Sequence, residues 1–140
     1  MSDKPKQWGW EYARIFQDES VVAAYRYRPT YPPELFSFLS QLIPSTGSPR
    51  RVLDAGCGTG FVARPLAPLV DQVDAIDVSD AMIQAAKLLP GGDYPTIRWI
   101  TAPIETAPLQ HDYALDIIGK LYAVWAFDNI IHQCYTGWLI

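Results

Sequence analysis

The chain has only two cysteines, Cys57 and Cys134, and two histidines among its 140 residues. Two cysteines are too few for a secreted disulfide scaffold, and Cys57 lies in a glycine cluster where a crosslink would obstruct the backbone. A reducing cytoplasm is therefore the expected compartment. His132 and Cys134 fall short of the three or four ligands a zinc site needs, so no metal is expected. A basic excess is also missing, since 11 Lys and Arg stand against 15 Asp and Glu for a net charge of −4. Nucleic acid is not an expected partner, because neutralising phosphates takes a basic patch or stripe. No run approaches the roughly 18 apolar residues of a membrane span, and the polar opening Met1–Lys6 is unlike a signal peptide, so no membrane partner is expected either. No Ser-His-Asp or Cys-His arrangement for nucleophilic catalysis stands out. What is present is 49% hydrophobic residues, enough for one domain with a buried core.

Hydrophobic spacing from Trp8 through Tyr25 predicts one or two short helices. Arg28-Pro29-Thr30-Tyr31-Pro32-Pro33 then forces extended backbone, because each proline fixes its own φ and disfavours helix in the residue before it. Pro33 suits the first turn of a following helix whose Leu35, Phe38, Leu39 and Leu42 fall on one face. Short buried strands are predicted at Arg51–Ala55, Gln72–Asp77, Thr96–Thr101 and Ala114–Ile118. Between them, the helix after Gly60 is interrupted by Pro65 and Pro68, whereas Ser79 caps a regular helix through Leu89 that stops at Pro90-Gly91-Gly92. Val124–Ile131 reads as a last helix. Strands alternating with helices predict an α/β fold with a parallel sheet.

Three glycines at alternate positions in Gly56-Cys57-Gly58-Thr59-Gly60, directly after a hydrophobic strand, open backbone conformations closed to other residues and let a ligand approach main-chain N–H groups. A dinucleotide fingerprint is G-x-G-x-x-G, and here Phe61 stands where its third glycine belongs. A phosphate-cradling loop would need Gly-Lys-Ser or Gly-Lys-Thr, which does not follow. An NAD-dependent oxidoreductase is thus left with fold analogy alone.

The run Val52-Leu53-Asp54-Ala55-Gly56-Cys57-Gly58-Thr59-Gly60 closely resembles motif I of class I methyltransferases, the loop that wraps the methionine part of S-adenosylmethionine. The segment through Tyr25, Arg28-Pro29 and Tyr31-Pro32 resembles the start of type 11 methyltransferases, including the branch that acts on small molecules. The resemblance implies a Rossmann-like, doubly wound parallel sheet. In this chain it would be truncated to about four strands in the order 3-2-1-4, with an N-terminal helical lid over residues 1–48 and an incomplete cofactor domain over residues 49–140. S-adenosylmethionine is the implied cofactor, and Asp54, Gly56, Cys57, Gly58 and Gly60 are its implied binding loop. Asp77, at the end of the second strand, would accept the ribose hydroxyls. Val78 and Met82 would lie beside the adenine, although Met82 equally suits the core. Tyr25 and Arg28 would meet the cofactor's carboxylate or close the pocket. Ala102-Pro103-Ile104-Glu105 resembles a family segment whose acid holds the adenine amino group. Pro103 cannot make that contact, which leaves Ile104 to pack on adenine and Glu105 to supply a polar contact.

After Leu115 the resemblance fades, and no catalytic residue is assigned. Methyl transfer needs an activated methyl and alignment more than a side-chain nucleophile. The expected function is methyl transfer to a small-molecule acceptor, with a non-catalytic S-adenosylmethionine-binding module as the alternative. A fourth strand at the sheet edge would be an apolar liability. Trp125, Phe127, Ile130, Ile131 and Trp138 are expected to fold over it or to mediate homodimerisation or aggregation.

Overall fold

The computed structural model describes residues 14–15, 17–46, 49–110 and 112–118. The expected helix at Val124–Ile131, the aromatic groups from Trp125 to Trp138, and His132 and Cys134 lie outside these residues. Among the described residues four strands form one sheet: β1 (Arg51–Ala55), β2 (Gln72–Asp77), β3 (Ile97–Thr101) and β4 (Leu115–Ile118). Their order is β3-β2-β1-β4, as the family resemblance implies, and every pairing is parallel, as the alternation of strands and helices predicts. Register aligns Asp54 with Ala75 on one side and with Ile117 on the other. Thr96 and Ala114, expected inside strands, lie one residue before them. Thr96 instead donates its hydroxyl hydrogen to the Ala67 carbonyl at 3.2 Å.

Helix α1 (Glu19–Ala24) starts at Asp18, whose carboxylate accepts the Ser20 N–H at 2.8 Å, and passes into a 3₁₀ turn at Tyr25–Tyr27. Arg28 and the prolines then hold extended backbone until Pro33 opens α2 (Pro33–Gln41). The prolines after the glycine loop limit α3 to Ala63–Leu66 before a 3₁₀ turn at Ala67–Leu69. Ser79 caps α4 (Asp80–Leu88), its hydroxyl accepting the Met82 N–H at 3.2 Å.

The two faces of the sheet are covered differently. On the first, Phe36 and Ile43 from the α2 region, Ala63 and Leu66 of α3 and Ile83 of α4 pack with Val52, Val73 and Ala75. On the second, Leu53, Ala55 and Ile76 pack with Ile104, Ala107, Leu109 and Tyr113 of the β3–β4 connection. One expectation needs correcting. Helix α2 turns Phe36 rather than Phe38 to the core; Phe36 is 6% exposed, while Phe38 and Leu42 are 57% and 52% exposed. Phe36, Leu39 and Ile43 also fall at i, i+3 and i+7, so the helix carries two overlapping apolar stripes. Docking on the sheet chose between them.

Candidate functional site

At the end of β1 the chain leaves the sheet at Gly56. The Gly56 and Cys57 N–H groups both donate to the Ile76 carbonyl, at 2.7 and 3.0 Å, which bends the loop across the end of β2. Gly56, Gly58 and Gly60 all have positive φ, at 72°, 56° and 80°, the left-handed region that glycine enters without a Cβ penalty. Asp77 braces the loop from the end of β2. Its Oδ2 accepts the Gly58 N–H at 2.8 Å and its Oδ1 accepts the Ser79 N–H at 2.9 Å. One buried carboxylate, 2% exposed, thus ties the glycine loop to the turn entering α4.

Above the loop lies a cleft of about 470 Å³, counting its open mouth. Its walls are Asp54, Gly56, Cys57 and Gly58 of β1 and the glycine loop, Phe61 and Val62 just after that loop, Ile117 of β4, and Tyr25, Arg28 and Tyr31 of the N-terminal segment. Asp54 and Ile117 are register partners on β1 and β4, so the cleft opens at the carboxyl ends of these two strands. The strand order reverses there, with β2 and β3 to one side and β4 to the other, and α/β sheets bind ligands at such a switch point. The Tyr25 ring stands over the loop: a Cβ on Gly58 would lie 3.5 Å from its Cε1.

Arg28 supplies the positive charge of these walls. Its guanidinium lies 5.9 Å from the ring centres of both Tyr25 and Phe61, and Nη2 reaches the Tyr31 hydroxyl at 3.5 Å. Among the described residues no carboxylate forms an ion pair with it. A second guanidinium, Arg64, lies 5.5 Å from the Phe61 ring. It is half-buried and anchored by carbonyls, donating from Nε to Thr59 and from Nη1 to Pro90, each at 2.9 Å. Burial holds its pKa below the usual arginine value.

Of the residues singled out from the sequence, Tyr25, Arg28, Asp54, Gly56, Cys57 and Gly58 meet around the cleft, and Asp77 bonds to the loop from below. Gly60 lies outside the cleft lining; an added Cβ there would meet Trp99 of β3 at 2.5 Å. Val78 is half-buried in the turn after β2, Met82 is fully buried in α4, Ile104 is 4% exposed and Glu105 is exposed. None of these four lines this cleft. The wall residues Phe61, Val62 and Ile117 were not assigned from the sequence. Ile117 was within reach of the 3-2-1-4 order, which sets the end of the fourth strand beside the end of the first. Among the described residues no helix is long and apolar enough to cross a membrane, and no cluster of His, Cys, Asp or Glu could hold a metal ion.

A family model described as a methyltransferase domain matches residues 52–136, more than half of the chain and all of the four strands but Arg51. The chain belongs to this family. Solved structures of similar fold include a protein from Anaeromyxobacter dehalogenans assigned as a type II methyltransferase. It is 27% identical with a TM-score of 0.61, and the match covers 76% of this chain and 44% of that one. The N-methyltransferase NodS from Bradyrhizobium japonicum WM9, solved with S-adenosyl-l-homocysteine, is 20% identical with a TM-score of 0.59, covering 91% and 67%. The 23S rRNA methyltransferase ErmE is 18% identical with a TM-score of 0.57, covering 78% and 44%. At those identities the last two show a shared fold. The chain thus spans less than half the length of the Anaeromyxobacter protein. No curated protein sequence matches the chain significantly.

Proposed function

We propose that the cleft binds S-adenosylmethionine and that the chain carries the cofactor half of a methyltransferase acting on a small-molecule acceptor. The observation that carries this reading is the pairing of charges at the switch point. Arg28 and Asp54 face one cleft over a glycine loop, and the amino-acid end of S-adenosylmethionine presents a carboxylate and an ammonium. The residues therefore fit the group. Arg28 would hold the carboxylate, Asp54 the ammonium, and Gly56, Cys57 and Gly58 would lie along the methionine chain. Asp77, already the brace of that loop, is the residue proposed to receive the ribose hydroxyls, since a carboxylate has about four acceptor positions. Val78 and Ile104 would border the adenine, with Met82 packed behind and Glu105 at the rim.

When bound, the cofactor supplies a sulfonium methyl that an acceptor's lone pair can take in line while the S–C electrons return to sulfur. The chain's own part is to hold the reactant still and exclude water, worth several orders of magnitude in effective concentration. The N-terminal residues 1–48 would act as the cover through Tyr25, Arg28 and Tyr31, and residues 49–140 as the binding domain. The net charge of −4 favours a small acceptor over a polyanion.

Calorimetry with S-adenosylmethionine tests the first half. Binding is expected, and Asp77→Ala should weaken it about tenfold or more, since both the ribose contact and the loop brace go. Absence of binding by folded protein at millimolar cofactor would overturn the reading. Binding without methyl transfer to any acceptor would replace catalysis with a purely binding role.

A further inference from the structure

We propose that Phe61 is a positioning residue for Arg28, holding its guanidinium over the cleft with its hydrogen-bond donors turned to a carboxylate. This rests on the reading that the cleft binds S-adenosylmethionine with Arg28 at the carboxylate. Arg28 is exposed, follows a single 3₁₀ turn and precedes Pro29, so little on its own segment fixes a long side chain. Its one side-chain hydrogen bond among the described residues, to the Tyr31 hydroxyl at 3.5 Å, is at the outer limit of a hydrogen bond. What meets its guanidinium are two aromatic rings, Tyr25 and Phe61, each 5.9 Å away and within the range of cation–π attraction. Tyr25 belongs to the same N-terminal segment. Among the described residues, Phe61 is the ring that joins Arg28 to the glycine-loop side of the cleft.

Phe61 is itself held in place. Arg64 lies 5.5 Å from the same ring, and its guanidinium is anchored to the Thr59 and Pro90 carbonyls. The order of contacts therefore runs from the Thr59 carbonyl of the glycine loop and the Pro90 carbonyl after α4 through Arg64 and Phe61 to Arg28. The choice of a ring has a chemical reason. A carboxylate in this place would fix Arg28 equally well but would cancel its charge and occupy its donors. A neutral ring attracts the cation through its quadrupole and leaves every N–H for an incoming anion. Phe61 thus lowers the cost of ordering Arg28 before the ligand arrives, which is preorganisation.

The test compares S-adenosylhomocysteine with 5′-methylthioadenosine, which keeps the adenosine and the thioether sulfur but lacks the amino-acid end. Calorimetry on the full chain gives the ratio of the two affinities. The wild-type protein is expected to prefer S-adenosylhomocysteine. Arg28→Gln should remove the carboxylate's share of that preference, leaving the share that Asp54 supplies through the ammonium, and Phe61→Leu should reduce the preference about three- to tenfold, the loss falling on S-adenosylhomocysteine more than on 5′-methylthioadenosine. Phe61→Tyr keeps the ring face and should keep the preference. The double variant should be no worse than Arg28→Gln alone, because the two residues act through one contact. Where Phe61→Leu melts early, Phe61→Met fills the space without a ring and serves the same comparison. Equal loss for both ligands in Phe61→Leu, or no loss for either, would overturn the positioning role and leave the cofactor reading intact. A wild-type protein that binds both ligands alike would remove the Arg28 assignment and Phe61's role with it. Binding of neither would overturn the cofactor reading itself.

Discussion

A Cβ at Gly60 would lie 2.5 Å from Cη2 of Trp99 and 3.2 Å from Cγ of Arg64, and the residue's φ is +80°. Backbone and packing therefore both require glycine there, although the residue lies outside the cleft lining. Gly60→Ala should destabilise the fold by about 2–4 kcal/mol, adding left-handed strain to overpacking against an indole. Pairing it with Trp99→Leu should recover only the packing part, as chemical denaturation of the single and double variants would show. Equal stability of Gly60→Ala and wild type would contradict this. The strand-loop pattern made Asp54, the alternating glycines and Asp77 legible in the sequence, because it fixes where the backbone turns and where the next strand ends. It did not reveal that Asp77 braces the loop through the Gly58 N–H, nor that Phe61 lies within cation–π range of two guanidiniums. Those contacts depend on which way side chains point after the chain has crossed over itself.

Among the elements, β2, β3 and the connection entering β4 are joined on the second face by Asp74, a fully buried carboxylate. Its oxygens accept Nε and Nη2 of Arg98, at 3.0 and 2.6 Å, the Gln72 side-chain amide at 2.7 Å, and the Tyr113 hydroxyl. Burial alone would raise its pKa, but the hydrogen bonds from Arg98, Tyr113 and Gln72, with the Arg98 charge, outweigh it and hold Asp74 below the usual carboxylate range. Tyr113 is pushed up to about 12, first by burial and then by the hydrogen bond it donates to Asp74. The signs follow from linkage. A depressed acid contributes stability that is present above its unfolded pKa near 4 and lost as pH falls through the folded value. The raised tyrosine contributes below its unfolded pKa near 10 and loses that contribution as pH rises toward 12. Denaturant melts against pH should show both limbs; Asp74→Asn should flatten the acid limb and cost about 1–3 kcal/mol at neutral pH. An acid limb unchanged by that substitution would remove Asp74 from the account. An acid inside an apolar strand was visible in the sequence, while its partners 24 and 39 residues away were not.

At the scale of the whole molecule, β4 pairs with β1 along one edge, and among the described residues no strand pairs with its other edge. Unpaired edges invite association. The expectation placed on Trp125, Phe127, Ile130, Ile131 and Trp138 is that they fold over this edge or mediate dimerisation or aggregation. Analytical ultracentrifugation combined with iodide quenching of tryptophan fluorescence decides, and a monomer with freely quenched tryptophans would contradict the expectation placed on Trp125 and Trp138. The alternation of short apolar strands with capped helices determined an α/β domain. It also placed a glycine loop at the end of its first strand, because periodicity and turn chemistry are local properties of the chain. Tertiary structure alone decided which stripe of α2 faces the core, since two stripes were available and only docking on the sheet distinguishes them. It also decided that the third glycine serves Trp99 instead of the cleft, and that Arg28 and Asp54, far apart in the chain, face one space where the strand order reverses. Those outcomes depend on distances between segments that no local pattern encodes.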